Sequence, residues 1–362
     1  MVTTQLSREK ADEAAADARM LADASSSNWK ALNRAAEFRQ RMSKSTKFKL
    51  KVLASIVMFS SLFIFGKVDL QKTWQTALSA NPALLGGTVL LFLASFVPMA
   101  KRWQLISRSL GFDRPLPELI KLYLVGSFFN LFLPSTVGGD VSRCYYLVKG
   151  TNLYKEGFYS VLADRACGIA VLFFCATLGI ALSSGGASLP WQLKWPIYAG
   201  TFGTFIVLPL MPQLSKLVLG ERNWITKQFN ESAAKVFWTD KGLIPVSLFW
   251  SLLSQIILVL CHIGVGLALG LDNIPLWYYF VFYPSVAVLG FITPSFNGIG
   301  IREWAYTYFL VLVGVDKSHA VTYALMWLGL TTFASMVGGL VYVAAHMKPP
   351  PKELDESQIS AG

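Results

Sequence analysis

Six ionisable residues stand in stretches that are otherwise apolar: Asp140 and Arg143, Asp164 and Arg165, Arg302 and Glu303. An ionised side chain at the centre of a bilayer costs roughly 2.5–3.5 kcal/mol on insertion scales, so each of these needs a partner or a wet cavity. Sequence neighbours on a helix point in different directions, so neither Asp164–Arg165 nor Arg302–Glu303 can neutralise itself. The expectation is tertiary pairing across the two interrupted segments that carry these charges. The chemistry open to such a set is phosphate recognition. An arginine fork grips two oxygens at once, and a restarted helix offers free amides and the positive end of its dipole. The candidate headgroup-binding residues are Asn130, Ser135, Gly138, Gly139, Asp140, Arg143, Asp164 and Arg165 on one side, and Ser295, Asn297, Gly298, Gly300, Arg302 and Glu303 on the other. A structural alternative stays open throughout: Asp140 as a helix cap, the arginines as fold-holding ion pairs, the serines and asparagines as local caps.

Two related stretches must position these groups. Residues 128–143 read FFNLFLPSTVGGDVSR and residues 291–303 read FITPSFNGIGIRE, so Pro134-Ser135-x-x-Gly138 and Pro294-Ser295-x-x-Gly298 share one spacing. Proline removes a backbone donor and glycine permits dihedrals closed to other residues, so each motif should break a helix. Broken backbone at membrane depth is tolerated only where protein buries it or where it lines a polar cavity. Helices should restart at Asp140 and near Gly300. The first break is entered from the inside and the second from the outside, the pattern of an inverted repeat.

A chain of 362 residues with 54% hydrophobic and only 15% charged residues reads as a membrane protein. Its net charge of +11 is concentrated in the N-terminal tail and in short loops, which suits anionic lipid and topology rather than nucleic acid. Spans are expected at Val52–Gly66, Ala83–Ala100, Ser160–Ser183, Pro196–Leu210, Leu243–Gly270 and Ala320–Ala345. Lys101, Arg102 and Arg108 should mark an inner loop, and Trp277, Tyr278 and Tyr279 an interfacial aromatic belt. The fold class expected is all-α, a polytopic integral membrane protein of about six to eight transmembrane helices with two re-entrant broken-helix segments. The domain reading is a cytoplasmic polar tail over 1–49, a membrane domain over 50–346 and a disordered tail over 347–362. Positive charge ahead of the first span places the N-terminus in the cytoplasm. Met211–Lys241, with Trp224 and Trp238, suits either an interfacial helix or a plain connector.

No GxSxG, P-loop or HExxH motif occurs, so no catalytic residue is assigned. Cys144, Cys167, Cys175 and Cys261 form no CxxC pair and read as small core residues, and His262, His319 and His346 lack metal-ligand spacing. No metal and no cofactor are expected.

The segments LPSTVGGDVSR (133–143), ADRACG (163–168) and TPSFNGIGIRE (293–303) resemble the lysylphosphatidylglycerol synthase transmembrane region family, also called flippase-like. The resemblance extends over about Val52 to Ala345. It implies a multi-pass protein of the prokaryotic cytoplasmic membrane that moves a phospholipid or lipid-phosphate between leaflets. Because only a short polar stretch follows His346, the expectation is a stand-alone member without the aminoacyl-transferase domain. Phe296-Asn297 stands where the family pattern has small or apolar residues, which leaves the headgroup open. The partners expected are an anionic or phosphate-bearing membrane lipid, and a second copy of the chain or a lipid-synthesising enzyme. Two rival readings remain: an intramembrane transferase on a polyprenyl-phosphate, with Asp140 or Asp164 as base or metal ligand, and a non-transporting partner of a lipid-modifying enzyme.

Overall fold

The computed structural model describes residues 69–132, 138–183, 190–207, 242–292 and 298–347, with isolated positions at 53, 56, 57, 59–61, 210, 217 and 220. They belong to the second of two units, Val52–Gly362. The N-terminal tail and most of the expected first span and of Met211–Lys241 lie outside the described residues, as does the C-terminal tail beyond 347. Among the described residues every regular element is helical.

Helix α1 (Leu70–Leu78) starts where the Asp69 side chain accepts the Lys72 amide. Helix α2 (Pro82–Ala94) starts at Asn81, whose Oδ1 accepts two amides, with Pro82 at the first helical position. It runs through a turn at Ser95 into α3 (Phe96–Ser109), together a rod of 28 residues. Then come α4 (Leu116–Phe132), α5 (Gly138–Val148), α6 (Tyr154–Leu182) and α7 (Trp191–Phe202), the last continuing as a π-helical turn over Gly203–Val207. The remainder is α8 (Leu243–Ala268), α9 (Leu276–Ile292), α10 (Ile301–Leu312) and α11 (Lys317–Ala344).

Four of these are long and apolar enough to cross a membrane: the α2–α3 rod, α6, α8 and α11, at 26 to 29 residues each. At 1.5 Å per residue the shortest reaches about 39 Å, more than a hydrocarbon core of roughly 30 Å. Helix α9 is a shorter apolar helix. These spans and the shorter apolar helices of the described residues bear out the expected all-α, polytopic membrane fold.

The rod and α8 lie antiparallel. Asn81 N–H donates to Ala268 O at 2.8 Å at one end, Gly264 sits against Thr88, and Arg102 reaches Ser251 further along. Helix α4 follows the end of the rod and α9 follows the end of α8, so the hairpins α4–α5 and α9–α10 begin at opposite ends of the molecule. Their packing is reciprocal: α11, which follows the second hairpin, lies on α4, and α6, which follows the first, lies on α9. Both crossings use glycine. A Cβ at Gly338 would stand 1.9 Å from Leu124 O, and one at Gly179 would stand 3.0 Å from Trp277 O. Small residues that let backbones touch are how membrane helices associate without a hydrophobic driving force. Gly338→Ala should therefore push α11 off α4 and cost about 1–3 kcal/mol by overpacking, read as a lowered melting temperature in detergent; an unchanged melt would show that the crossing is not tight.

The main apolar core joins α8, α9, α10 and α11, and a second cluster fills the first hairpin around Trp103, Leu119, Val125 and Leu147. The expected aromatic belt is corrected here. Tyr278 and Tyr279 are only 1% and 2% exposed, and the Tyr278 hydroxyl donates to Phe309 O. Helix α9 packs on α6 and α10, so both tyrosines turn inward, and Tyr278 finds a carbonyl there. At that end Lys72 pairs with Asp316 at 3.1 Å and ties α1 to the start of α11. The Lys72 hydrogen bond holds the Asp316 carboxyl below its usual range. This exposed tie contributes above the ordinary carboxylate pKa of about 4 and is lost as pH falls through the lowered value.

Candidate functional site

The first hairpin carries a buried ion-pair network. Asp164 on α6 accepts from Arg102 Nε at 2.7 Å, from Arg143 Nη2 at 2.9 Å and from the Tyr123 hydroxyl. Asp140 on α5 accepts both Nε and Nη2 of Arg165 at 2.8 Å, a bidentate pair, and Arg143 Nη1 at 3.3 Å. The Arg143 guanidinium also lies over the Tyr123 ring, 3.6 Å from its centroid, and over Trp103 at 4.2 Å. Arg102 donates further to Ser251 on α8, and Trp103 to Ser160. Apart from Arg165, whose side chain is 39% exposed, the charged members are buried.

Local sequence explains how α5 delivers its groups. Asp140 and Arg143 are three apart on one helix face, and Gly126 on α4 leaves room for the arginine stem; a Cβ there would stand 2.9 Å from Arg143 Cγ. The Asn130 side chain reaches across the break and accepts the Gly139 amide at 2.7 Å. Helix α5 begins at Gly138, two residues before the expected restart at Asp140. Asp140 serves the arginines rather than a cap.

The second hairpin is built alike and charged differently. Gly298 and Gly300 have φ of 78° and 90°, a region open to glycine, and they bend the chain into α10. The expected restart near Gly300 is met, because Gly300 is the residue before α10. Gly290 on α9 makes room for Arg302 as Gly126 does for Arg143: Cβ atoms at Gly290 and Gly298 would stand 2.7 and 2.5 Å from Arg302 Nε. Glu303 is buried, and its Oε2 accepts the Gly300 amide at 2.6 Å, so it is a helix cap. Among the described residues Arg302 forms no ion pair, and its buried Nε has no hydrogen-bond partner.

The expectation of pairing is met, but not across the two breaks. The network stays on α3, α4, α5 and α6 with one contact to α8, and neither Arg302 nor Glu303 joins it. Ser135, Ser295 and Asn297 lie outside the described residues. Arg102, read from the sequence as part of an inner basic loop, is corrected: it is 5% exposed and is a principal partner of Asp164. Tyr123 and Ser251 were also unanticipated. The signal for Arg102 was Gly111, whose φ of 95° ends the rod's last turn, so that helix still surrounds position 102.

His262 is wholly buried on α8. Its Nδ1 lies 2.8 Å from Leu258 O and its Nε2 lies 2.9 Å from the Tyr306 hydroxyl. A carbonyl only accepts, so Nδ1 carries the proton and the tyrosine donates to Nε2. Among the described residues no cluster of three metal-ligating side chains occurs. Cys167, Cys175 and Cys261 are buried, Cys144 is half-buried, and all four are free thiols.

A polytopic all-helical body with two interrupted hairpins, one at a buried ion-pair network and the other holding a cation with no ion pair among the described residues, defines a multi-pass membrane protein with polar machinery inside its apolar bulk. The chain belongs to the lysylphosphatidylglycerol synthase TM region family, whose model matches residues 48–339. It is 27% identical over 133 residues to UPF0104 membrane protein MJ1595 of Methanocaldococcus jannaschii, a match covering 35% of this chain and 40% of that protein. The match thus spans less than half of the relative's length. No solved structure matches the chain.

Proposed function

We propose that this protein translocates a phosphate-bearing lipid between membrane leaflets, with the headgroup engaging the second hairpin while the tails stay in the bilayer. The observation that carries this reading is Arg302. A cation at membrane depth that pairs with no carboxylate among the described residues is costly, and one that stays half-buried is poised for an anion that arrives from outside the fold. The family supports a lipid-related role, and the reciprocal hairpins supply two half-sites facing opposite ends, as alternating access requires. We place the chain in a prokaryotic cytoplasmic membrane with its N-terminus inside, on the distribution of basic loops.

The transferase reading is weaker because its candidate bases are engaged. Asp164 accepts from two guanidiniums and a phenol, and Asp140 from two guanidiniums. The test is a leaflet-resolved assay in proteoliposomes over lipids that differ only in the headgroup. Anionic phosphate lipids should move and an uncharged glycolipid should not. Equal movement of both would remove the headgroup clamp, and a covalently altered lipid would revive the transferase.

A further inference from the structure

A cavity of about 570 Å³ opens where α4 begins, α5 ends and α11 ends, lined by Arg114, Glu118, Lys121, Lys149 and His346 together with Tyr146 and other apolar groups. Three permanent cations face one acid. Arg114 already pairs with Glu118 at 3.5 Å, and its Nη2 donates to Leu147 O and Lys149 O at the end of α5. This fixes the guanidinium, pairs the acid and covers the negative end of the α5 dipole, the two groups that would oppose an anion. The ammonium groups of Lys121 and Lys149 form no ion pair among the described residues. The start of α4 adds the positive end of its own dipole. A cavity at the opposite end is lined instead by Asp272, Asp316 and His319, so the two differ in the charge that lines them.

We propose that this basic cavity is a second, peripheral site for a phosphate group, separate from the hairpin breaks. Its volume suits a phosphoglycerol-sized headgroup, and basic pockets between helices at a membrane surface are suited to anionic headgroups. Glu118, Leu122, Gly126 and Asn130 follow each other at four-residue steps on one face of α4, from the cavity to the first break, a rise of roughly 18 Å. Leu122 is buried and Arg143 fills the space at Gly126, so the stripe is closed in this conformation. A headgroup held in the cavity waits at the foot of that stripe. The site itself binds whether or not lipid is translocated.

The test uses the full chain in phosphatidylcholine nanodiscs and reads the acetylation rates of Lys121 and Lys149 by mass spectrometry, with Lys317 near the opposite end as reference. Added phosphatidylglycerol should slow both lysines by about tenfold, the equivalent of one charge-assisted hydrogen bond, and should leave Lys317 unchanged. Protection by phosphatidylglycerol alone supports a lipid headgroup. Protection by glycerol phosphate or inorganic phosphate in neutral discs supports a soluble phosphoester at the same site. Both lysines are exposed, so the Lys121→Gln/Lys149→Gln protein should fold, and native mass spectrometry should show it retaining about tenfold less phosphatidylglycerol. Unchanged labelling with every probe, slowing of Lys317 to the same degree, or equal retention by the double variant would each overturn the site. An Arg302→Ala protein should keep the protection, so failure of translocation and failure of this site are read separately.

Discussion

Asp164→Asn is expected to lower the melting temperature of the detergent-solubilised protein more than any other single change in the ion-pair network. Asp164 is 1% exposed and holds Arg102 and Arg143, both buried. Without its charge, two guanidiniums on α3 and α5 are left with Asp140, which is already engaged by Arg165. Removing one partner from a buried pair costs about 3–5 kcal/mol, because the desolvated charge left behind has nothing to offset it. Native stability is typically only about 5–15 kcal/mol, so much of the fold's margin would go. Two comparisons separate this from a general intolerance of change. Arg165→Gln removes a half-exposed member and leaves Asp140 paired with Arg143, so it should cost less. Arg102→Met added to Asp164→Asn removes one stranded cation and should recover part of the loss, since apolar replacement of buried pairs is often neutral. A melt for Asp164→Asn within a degree or two of wild type would mean that water reaches the network.

Arg302→Ala should leave the melting temperature close to wild type and reduce lipid translocation by about 10- to 100-fold, the range set by losing one or two charge-assisted hydrogen bonds to phosphate. The split follows from the pairing. Arg143 binds two carboxylates, so its loss would disturb the fold, whereas no carboxylate among the described residues depends on Arg302. Arg302→Lys should recover only part of the rate, because an ammonium keeps the charge but not the planar fork. A folded Arg302→Ala protein that moves anionic lipid at the wild-type rate would remove the assignment of the headgroup to the second hairpin. A protein that fails to fold would show that Arg302 is structural.

In the sequence Arg143 and Arg302 are alike, each standing a few residues after a PSxxG stretch. The hairpins do match in architecture, down to the glycine that admits each arginine stem. They differ in charge compensation. The acid beside Arg302 in sequence caps its own helix, while the acids around Arg143 come from α5 and α6. Nothing in the spacing of PSxxG distinguishes these cases.

What the sequence by itself determined is what local chemistry decides. Apolar run length set the spans at Leu243–Ala268 and Lys317–Ala344 to within a few residues of expectation. Glycine at 298 and 300 supplies the positive φ that leads the chain into α10, and the cost of ionised groups in lipid required that Asp164 and Arg165 find partners beyond each other. The tertiary structure alone decided who those partners are. Arg102 meets Asp164 across 62 residues and Ser251 across 149, and the inward turn of Tyr278 depends on a carbonyl 31 residues away. Dihedral preferences and burial costs act on each residue where it stands, and so can be read along the chain. A hydrogen bond or ion pair is settled by which helix faces meet in space, and that is fixed only when the glycine crossings have brought the hairpins and their flanking helices together.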